Sequence, residues 1–383
     1  MVAEVRSGRS LRSAAKMFRV TLDTVQRWVA RAADRPLDEV DWTDRPSGGP
    51  TSPRRTQRSV EERVLTVRRV LKTRSALGEY GAAAIRREML ARNLRKVPSL
   101  RTIGRILERR GALDGRRRMR RQAPPRGWFL SDVRTGRAEL DSFDMIEDLA
   151  LRGGHLVNVL TGISLQGALC AAWPAAQITA KSTVESLVEH WRLFGLPGYA
   201  KFDNDTIFQG NRCPNSFGRV IRLCLSLGVT PVFAPPLSRG FQADIEAFNR
   251  RWQESVWSRF TFRNRIEVLT QSQRFVEAHR NRHAVRIEDA PTSRNFPDRW
   301  RLNLQSPLQG TVIFIRVTSL SGRATLLEQT FDVSPTWCGR LVRAEVDLTA
   351  KQIRFYALRR KDPDNHELLS TQAYIPPTRR FSE

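Results

Sequence analysis

Cysteine is scarce in this chain of 383 residues: Cys170, Cys213, Cys224 and Cys338 stand far apart, with no Cys-x-x-Cys pair. That excludes a disulfide framework and a thiolate zinc site, and it fits a reducing compartment. The five histidines, His155, His190, His279, His283 and His366, have no cysteine at zinc-ligand spacing. Only His279 and His283 stand four apart on a predicted helix, a weak metal pair. No run approaches the eighteen or so apolar residues that span a bilayer, and the charged N-terminus has no apolar signal core, so a soluble, cytoplasmic protein without membrane contact is expected. A Gly-rich phosphate loop is absent, which removes ATP use within the chain. Lysine is rare too, seven against 58 arginines.

What the chain has is positive charge, 65 basic against 39 acidic residues for a formal net charge of +26. An excess of this size serves a polyanion, and nucleic acid is the first candidate. Arginine-rich coding explains the preference for Arg over Lys better than it explains the excess. The length implies several folded units, at least one with a sizeable core.

Residues 1–35 predict a helix-turn-helix. Ser10–Phe18 forms one short helix and Leu22–Ala32 a second, capped by Thr21, with Ala14, Ala15 and Phe18 facing Val25 and Val29. Thr24, Gln26 and Arg27 then lie outside, where a recognition helix meets the major groove. Residues 36–58 have linker composition, rich in Pro, Gly and polar side chains. A second helical unit follows over 59–112, in which Ser99 caps another candidate recognition helix that carries Arg101 and Arg105. Residues 113–137 form a basic linker, with Arg116, Arg117 and Arg118 suited to phosphates through salt-dependent contacts, or simply solvated.

From residue 138 the pattern changes to α/β. Strands are predicted near 138–146, 156–160 and 165–172, then an amphipathic helix marked by Val184, Leu187, Val188 and Trp191. A strand ending at Asp203, a helix through Val220, Cys224 and Leu227, the strand Thr230–Phe233 and a long helix from Ile245 complete the segment. After residue 307, short runs at 310–317, 330–333, 340–346 and 352–358 predict a small β-barrel over 307–370.

Three acids stand where a sheet presents side chains to a site. Asp141 lies mid-strand in Glu139-Leu140-Asp141-Ser142-Phe143-Asp144, Asp203 ends Lys201-Phe202-Asp203-Asn204, and Glu246 opens the helix Ile245-Glu246-Ala247-Phe248-Asn249-Arg250. Asp144 competes for the first position. Strand alternation points Asp141 and Asp144 to opposite faces, so at most one of them belongs to the site. Asn249, Arg250 and Gln253 follow Glu246 at helical spacing, and Asn249 and Arg250 are candidates for holding a DNA end.

In order and placing, these three motifs over residues 138–290 resemble those of the DDE transposase and retroviral integrase superfamily, of the bacterial insertion-sequence type. Asp205 departs from that pattern, standing where the family has glycine. The 43 residues from Asp203 to Glu246 exceed the retroviral spacing, with the extra length assigned to a loop at 211–216. The resemblance implies a ribonuclease H-like core between helix-turn-helix units and a β domain. It further implies a DNA transposase that cleaves element ends and transfers the strand. Asp141, Asp203 and Glu246 would be the metal ligands, with Asp141 bridging two Mg²⁺ ions, Mn²⁺ as substitute. Such ions, about 3.5–4 Å apart, serve nucleophile and leaving oxygen, and hard cations call for carboxylate oxygens. The implied partners are double-stranded DNA, as element ends and target, a second copy of the chain, and a helper ATPase. A non-catalytic helix-turn-helix regulator and a nuclease without strand transfer are the alternatives.

Overall fold

The computed structural model describes residues 1–43, 56–94, 96–113, 125–210, 217–236, 240–376 and 381. Arg116, Arg117, Arg118 and the loop expected at 211–216 lie outside them. The chain divides into two compact units, Met1–Glu62 and Arg63–Glu383.

In the first unit, helix α1 (Val2–Arg6) precedes the expected pair α2 (Leu11–Phe18) and α3 (Leu22–Ala32). Side-chain caps start both members of the pair: Ser10 accepts the Ser13 amide and Thr21 the Thr24 amide, each satisfying a donor the helix leaves open. Ala14, Ala15 and Val25 are buried together as predicted. Phe18 is not part of this core. It is 41% exposed, because Arg19 takes a left-handed conformation directly after it and ends the helix.

The unit boundary falls within α4 (Arg58–Arg74). With α5 (Ala82–Ala91) and α6 (Leu100–Arg109), α4 buries Val64, Val67, Ile85, Met89, Ile103, Ile106 and Leu107. These helices are tied to a later segment of the chain: Arg259 donates to the carbonyls of Thr73 and Ser75, and the Ser255 hydroxyl to that of Leu77 at 3.1 Å.

After the short α7 (Ser131–Arg134) the sheet begins, with β1 (Leu140–Ala150), β2 (Leu156–Ser164) and β3 (Cys170–Ala175). The third strand starts five residues later than predicted, since 165–169 form a turn. Glu139 holds that turn by accepting the Gln166 and Gly167 amides, both at 2.8 Å. Next along the chain are α8 (Ala180–Phe194), β4 (Tyr199–Phe202), α9 (Thr206–Gln209), α10 (Arg219–Ser226), β5 (Thr230–Phe233), α11 (Ala243–Ser255), a 3₁₀ turn at Trp257–Arg259, α12 (Arg265–Arg282) and α13 (Ala284–Glu288). The C-terminal strands are β6 (Thr311–Val317), β7 (Arg323–Leu326), β8 (Gln329–Asp332), β9 (Leu341–Asp347), β10 (Gln352–Ala357) and β11 (Leu368–Ala373).

One sheet of nine strands runs β11-β10-β9-β6-β5-β4-β1-β2-β3, and β7-β8 pair separately. Within it, β3-β2-β1 are antiparallel, and β4 and β5 add parallel to β1. This is the layered order expected of a ribonuclease H-like core. The separate barrel is not found. Instead β6 pairs in parallel with β5, and β9, β10 and β11 continue the sheet from it. The reason lies in β6, where Val312, Ile313, Phe314 and Ile315 are all buried, as in a central strand covered on both faces rather than a barrel strand with one wet face.

Helices cover both faces. On one side, Phe143, Leu160, Phe202, Phe233 and Phe314 pack with Leu187 and Trp191 of α8 and Val220, Ile221, Leu223 and Cys224 of α10. On the other, Ile146, Val157, Val159, Cys170 and Ala172 meet Ile245, Phe248 and Trp252 of α11 and Val268, Phe275 and Val276 of α12. Along the first face the phenylalanine rings form a row across four neighbouring strands, Phe143–Phe202 at 5.6 Å, Phe202–Phe233 at 6.0 Å and Phe233–Phe314 at 5.1 Å.

A chain ending at Ser306 would uncover the edge of β5, remove Phe314 from this row and leave Phe233 without that neighbour. It is expected to aggregate or to bind a hydrophobic dye, whereas Phe314→Ala in the full chain should lower stability to urea by about 3–5 kcal/mol. A soluble truncated chain that unfolds as cooperatively as the full one would show that the C-terminal strands are an independent module.

Candidate active site

Two residues fix the third-motif helix over the sheet. The Lys201 ammonium, on β4, donates to the Phe241 carbonyl at 2.6 Å, just before α11 begins. Two turns into α11, Asn249 donates to Asp144 Oδ2 at 2.8 Å and accepts from the Thr161 hydroxyl at 2.7 Å. Thr161 stands opposite Asp144 in the β1–β2 register, so β1, β2 and α11 are joined at one point. Glu246 lies between these ties, exposed in the first turn of the helix.

The choice between Asp141 and Asp144 is made by the faces of β1. Asp144 is on the α11 side, half-buried, and its carboxyl is pushed up to about 6 by burial, with the charges of Asp203, Glu246 and Glu147 adding to the effect. Asp141 is on the α8 side. It accepts from Trp191 Nε1 at 3.0 Å and lines a cavity of about 360 Å³ with Glu139, Ser164 and His190. Burial, with the Glu139 charge, pushes its carboxyl up to about 7. Asp144, not Asp141, is therefore the β1 acid within electrostatic reach of Asp203 and Glu246.

Asp203 comes directly after β4, and its Oδ1 accepts the Asp205 amide at 3.0 Å. Its carboxyl is raised by burial and by the Asp205 and Glu147 charges. Asp205, in the position where a glycine was expected, caps α9 by accepting the Ile207 amide at 2.8 Å. Asn204 is held on three sides: it donates to the Ala234 carbonyl at 2.7 Å and accepts from Gln209 at 2.7 Å and from Arg316 at 3.0 Å.

Sequence reasoning missed Lys201. Lys201 is buried, and burial lowers its ammonium to about 8 although the charges of Asp244, Glu246 and Asp144 act the other way. A lysine two positions before a motif acid, in step with Ser142 on the neighbouring strand, carried the signal through strand parity. Asn249 was expected to hold a DNA end. It is buried and hydrogen-bonded to Asp144 and Thr161, while Arg250 beside it is exposed.

Among the other candidates, Gln26, Arg27, Arg101 and Arg105 are exposed on α3 and α6, and Thr24 is half-buried with its hydroxyl 2.8 Å from that of Thr21. His279 and His283 stack at 4.2 Å. Arg251, Arg280 and Arg286 surround them with positive charge and burial lowers His279 to about 3, an environment hostile to a cation. Among the described residues no helix is long and apolar enough to cross a membrane.

Burial raises Asp144, and the charges of Asp203, Glu246 and Glu147 add to the effect; carboxylate oxygens are the donors a hard divalent cation takes, and like-charge repulsion of this kind is what a cation relieves. Among the described residues, no three acids, histidines or cysteines are grouped closely enough to hold a metal ion.

No family model and no curated protein matches the chain. Its structure is similar to retroviral integrase catalytic cores. A simian T-cell lymphotropic virus intasome in complex with the PP2A regulatory subunit B56 gamma matches 69% of this chain and 84% of its own, at 11% identity and a TM-score of 0.33. The HTLV-2 integrase catalytic core domain in complex with magnesium, in its dimeric form, matches 42% of this chain and 88% of its own, at 10% identity and a TM-score of 0.27. The catalytic core domain of BIV integrase matches 37% and 81%, at 15% identity and a TM-score of 0.27.

Asp141 generates a test of the two faces. Its carboxyl ordinarily titrates near 3.8 and in the folded chain near 7, so folding takes up a proton between these values. The stability this carries is full below the interval and is lost as pH rises through it. In metal-free buffer, Asp141→Asn should exceed wild type in urea stability at pH 8 by on the order of 2–4 kcal/mol and approach it as pH falls towards 4. Parallel pH profiles for the two proteins would mean that Asp141 is not held protonated.

Proposed function

We propose that the chain is a DNA transposase, a metal-dependent enzyme that cuts the ends of a mobile element and transfers the strand. Asp144, Asp203 and Glu246 are its metal-holding carboxylates. The observation that carries the proposal is the Asn249–Asp144 hydrogen bond, since it ties the helix bearing Glu246 to the β1 acid whose charge is already coupled to Asp203 and Glu246. Mg²⁺, or Mn²⁺ in its place, supplies charge neutralisation at the phosphodiester and activates a water or a DNA 3′-hydroxyl.

The chain's own residues do the rest. Asn249 and Thr161 orient Asp144, the Asp205 amide orients Asp203, and Lys201 offsets part of the negative charge while the acids await a cation. Exposed Gln26, Arg27, Arg101, Arg105 and Arg250 are the DNA contacts in this proposal, together with Arg116, Arg117 and Arg118, and the net charge of +26 favours a polyanion throughout. Two element ends must be handled together, so the working form is a homo-oligomer on DNA. A helper ATPase completes the proposed set of partners.

A DNA-binding regulator without catalysis is the second reading, favoured by the open spacing of the acids. The two are separated by strand transfer on DNA carrying the element's own ends, with Mn²⁺ binding followed by electron paramagnetic resonance. Asp144→Asn, Asp203→Asn and Glu246→Gln should each lower product by roughly a thousandfold or more and weaken Mn²⁺ binding, with Asp141→Asn within about tenfold of wild type. Equal losses for Asp141→Asn and Asp144→Asn would overturn the assignment of Asp144, and DNA binding without any metal-dependent product would favour the regulator.

A further inference from the structure

Arg316, on β6, is 9% exposed, and its guanidinium is shared among neutral acceptors. Nε donates to the Thr325 carbonyl at 3.2 Å, Nη1 to those of Ile315 at 2.9 Å and Ala234 at 3.4 Å, and Nη2 to Asn204 Oδ1 at 3.0 Å. No carboxylate among the described residues pairs with it, and burial alone lowers it to about 10. Five N–H groups make these four bonds, so one donor on Nη2 remains. A buried charge without a counter-charge is costly, and an arriving anion relieves that cost.

Arg316 lines a cavity of about 570 Å³ that Asn204, Ser319, Arg323 and Thr325 also line. Arg323 is engaged by Asp332 at 2.9 Å and Glu328 also lines the cavity, while Arg316 is the buried cation there with no carboxylate partner among the described residues. Asn204, in direct contact with it, is the residue after Asp203.

We propose that this cavity seats a backbone phosphodiester of the DNA strand whose neighbouring phosphate lies at the carboxylates, with Arg316 as its charge partner. The inference rests on the transposase reading for the identity of the polyanion, not for the seat itself. The phosphate receives the free Nη2 hydrogen, and the seat on β6 and the acid after β4 then grip one strand at two places.

The test uses the full chain and a fluorescein-labelled duplex, with affinity read by anisotropy across salt concentrations. Thr325→Glu, an exposed position on the cavity wall, puts a carboxylate beside Arg316 without disturbing the core. It should weaken binding several-fold and lower the slope of log affinity against log salt by about 0.9, the loss of one phosphate contact. Arg316→Gln should do the same if its melting curve shows it folded. Thr371→Glu, on exposed β11, carries the same charge change elsewhere and should change affinity less than twofold. Equal effects at Thr325 and Thr371, or no effect at either, would overturn the seat. Inorganic phosphate is the second arm: if it raises the melting temperature of wild type over chloride at equal ionic strength, and Thr325→Glu abolishes that rise but leaves duplex binding unchanged, the seat takes a free anion and the DNA proposal fails. Metal-dependent cutting by wild type is scored separately. Cutting with an unaltered salt slope in Thr325→Glu removes the seat alone, and a reduced slope without any cutting by wild type supports the seat while removing the transposase reading.

Discussion

The row of phenylalanine rings from Phe143 through Phe202 and Phe233 to Phe314 is the constraint on which the rest depends. Each ring projects from a different strand to the same face, and Phe202, Phe233 and Phe314 are register partners of one another. A slip of one residue in any of these strands would turn its ring to the opposite face and bring a polar or smaller group into the gap. Because Phe202 is the last residue of β4, the row also decides where the strand ends and hence where Asp203 emerges. On β1, Phe143 directed to this face sends Asp144 to the other. The aromatic core thus selects the carboxylate that faces α11.

That selection explains why part of the site could be read in the sequence and part could not. Alternation along β1 requires Asp141 and Asp144 to diverge, but says nothing about which face α11 covers; that depends on Lys201 and Asn249 reaching across from other segments. Asp203 and Glu246 could be singled out as candidates because each lies at the junction of an element and a loop, where hydrophobic periodicity stops at a definite residue. The caps behave likewise: Ser10, Thr21 and Ser99 mark helix starts through a hydroxyl and an amide three residues apart, an entirely local relation.

Four of the six C-terminal strands, β6, β8, β9 and β10, were found as strands and incorrectly grouped, while β7 and β11 were not foreseen. Their lengths and turns suit a small barrel, and short-range signals do not say which strand pairs with which. The sign of the true arrangement was in the composition of β6, where four consecutive residues from Val312 to Ile315 are apolar and buried. A strand with one wet face alternates, whereas one inserted between parallel and antiparallel neighbours beneath helices does not. The pairing of β6 with β5 spans about eighty residues of sequence, a separation at which only burial on both faces gives any hint.

A continuous sheet also sets a ruler. Had the C-terminal strands formed a domain on a tether, anything held there would wander relative to the acids, and its local concentration would depend on the tether's length and stiffness. Here β6 is separated from β4 by the single strand β5, and strands in a sheet lie about 4.8 Å apart. The lateral step from the end of β4 to β6 is therefore about 10 Å, fixed by backbone hydrogen bonds. A ligand gripped along β6 meets the carboxylates at a set spacing, and it cannot change that spacing without breaking the sheet.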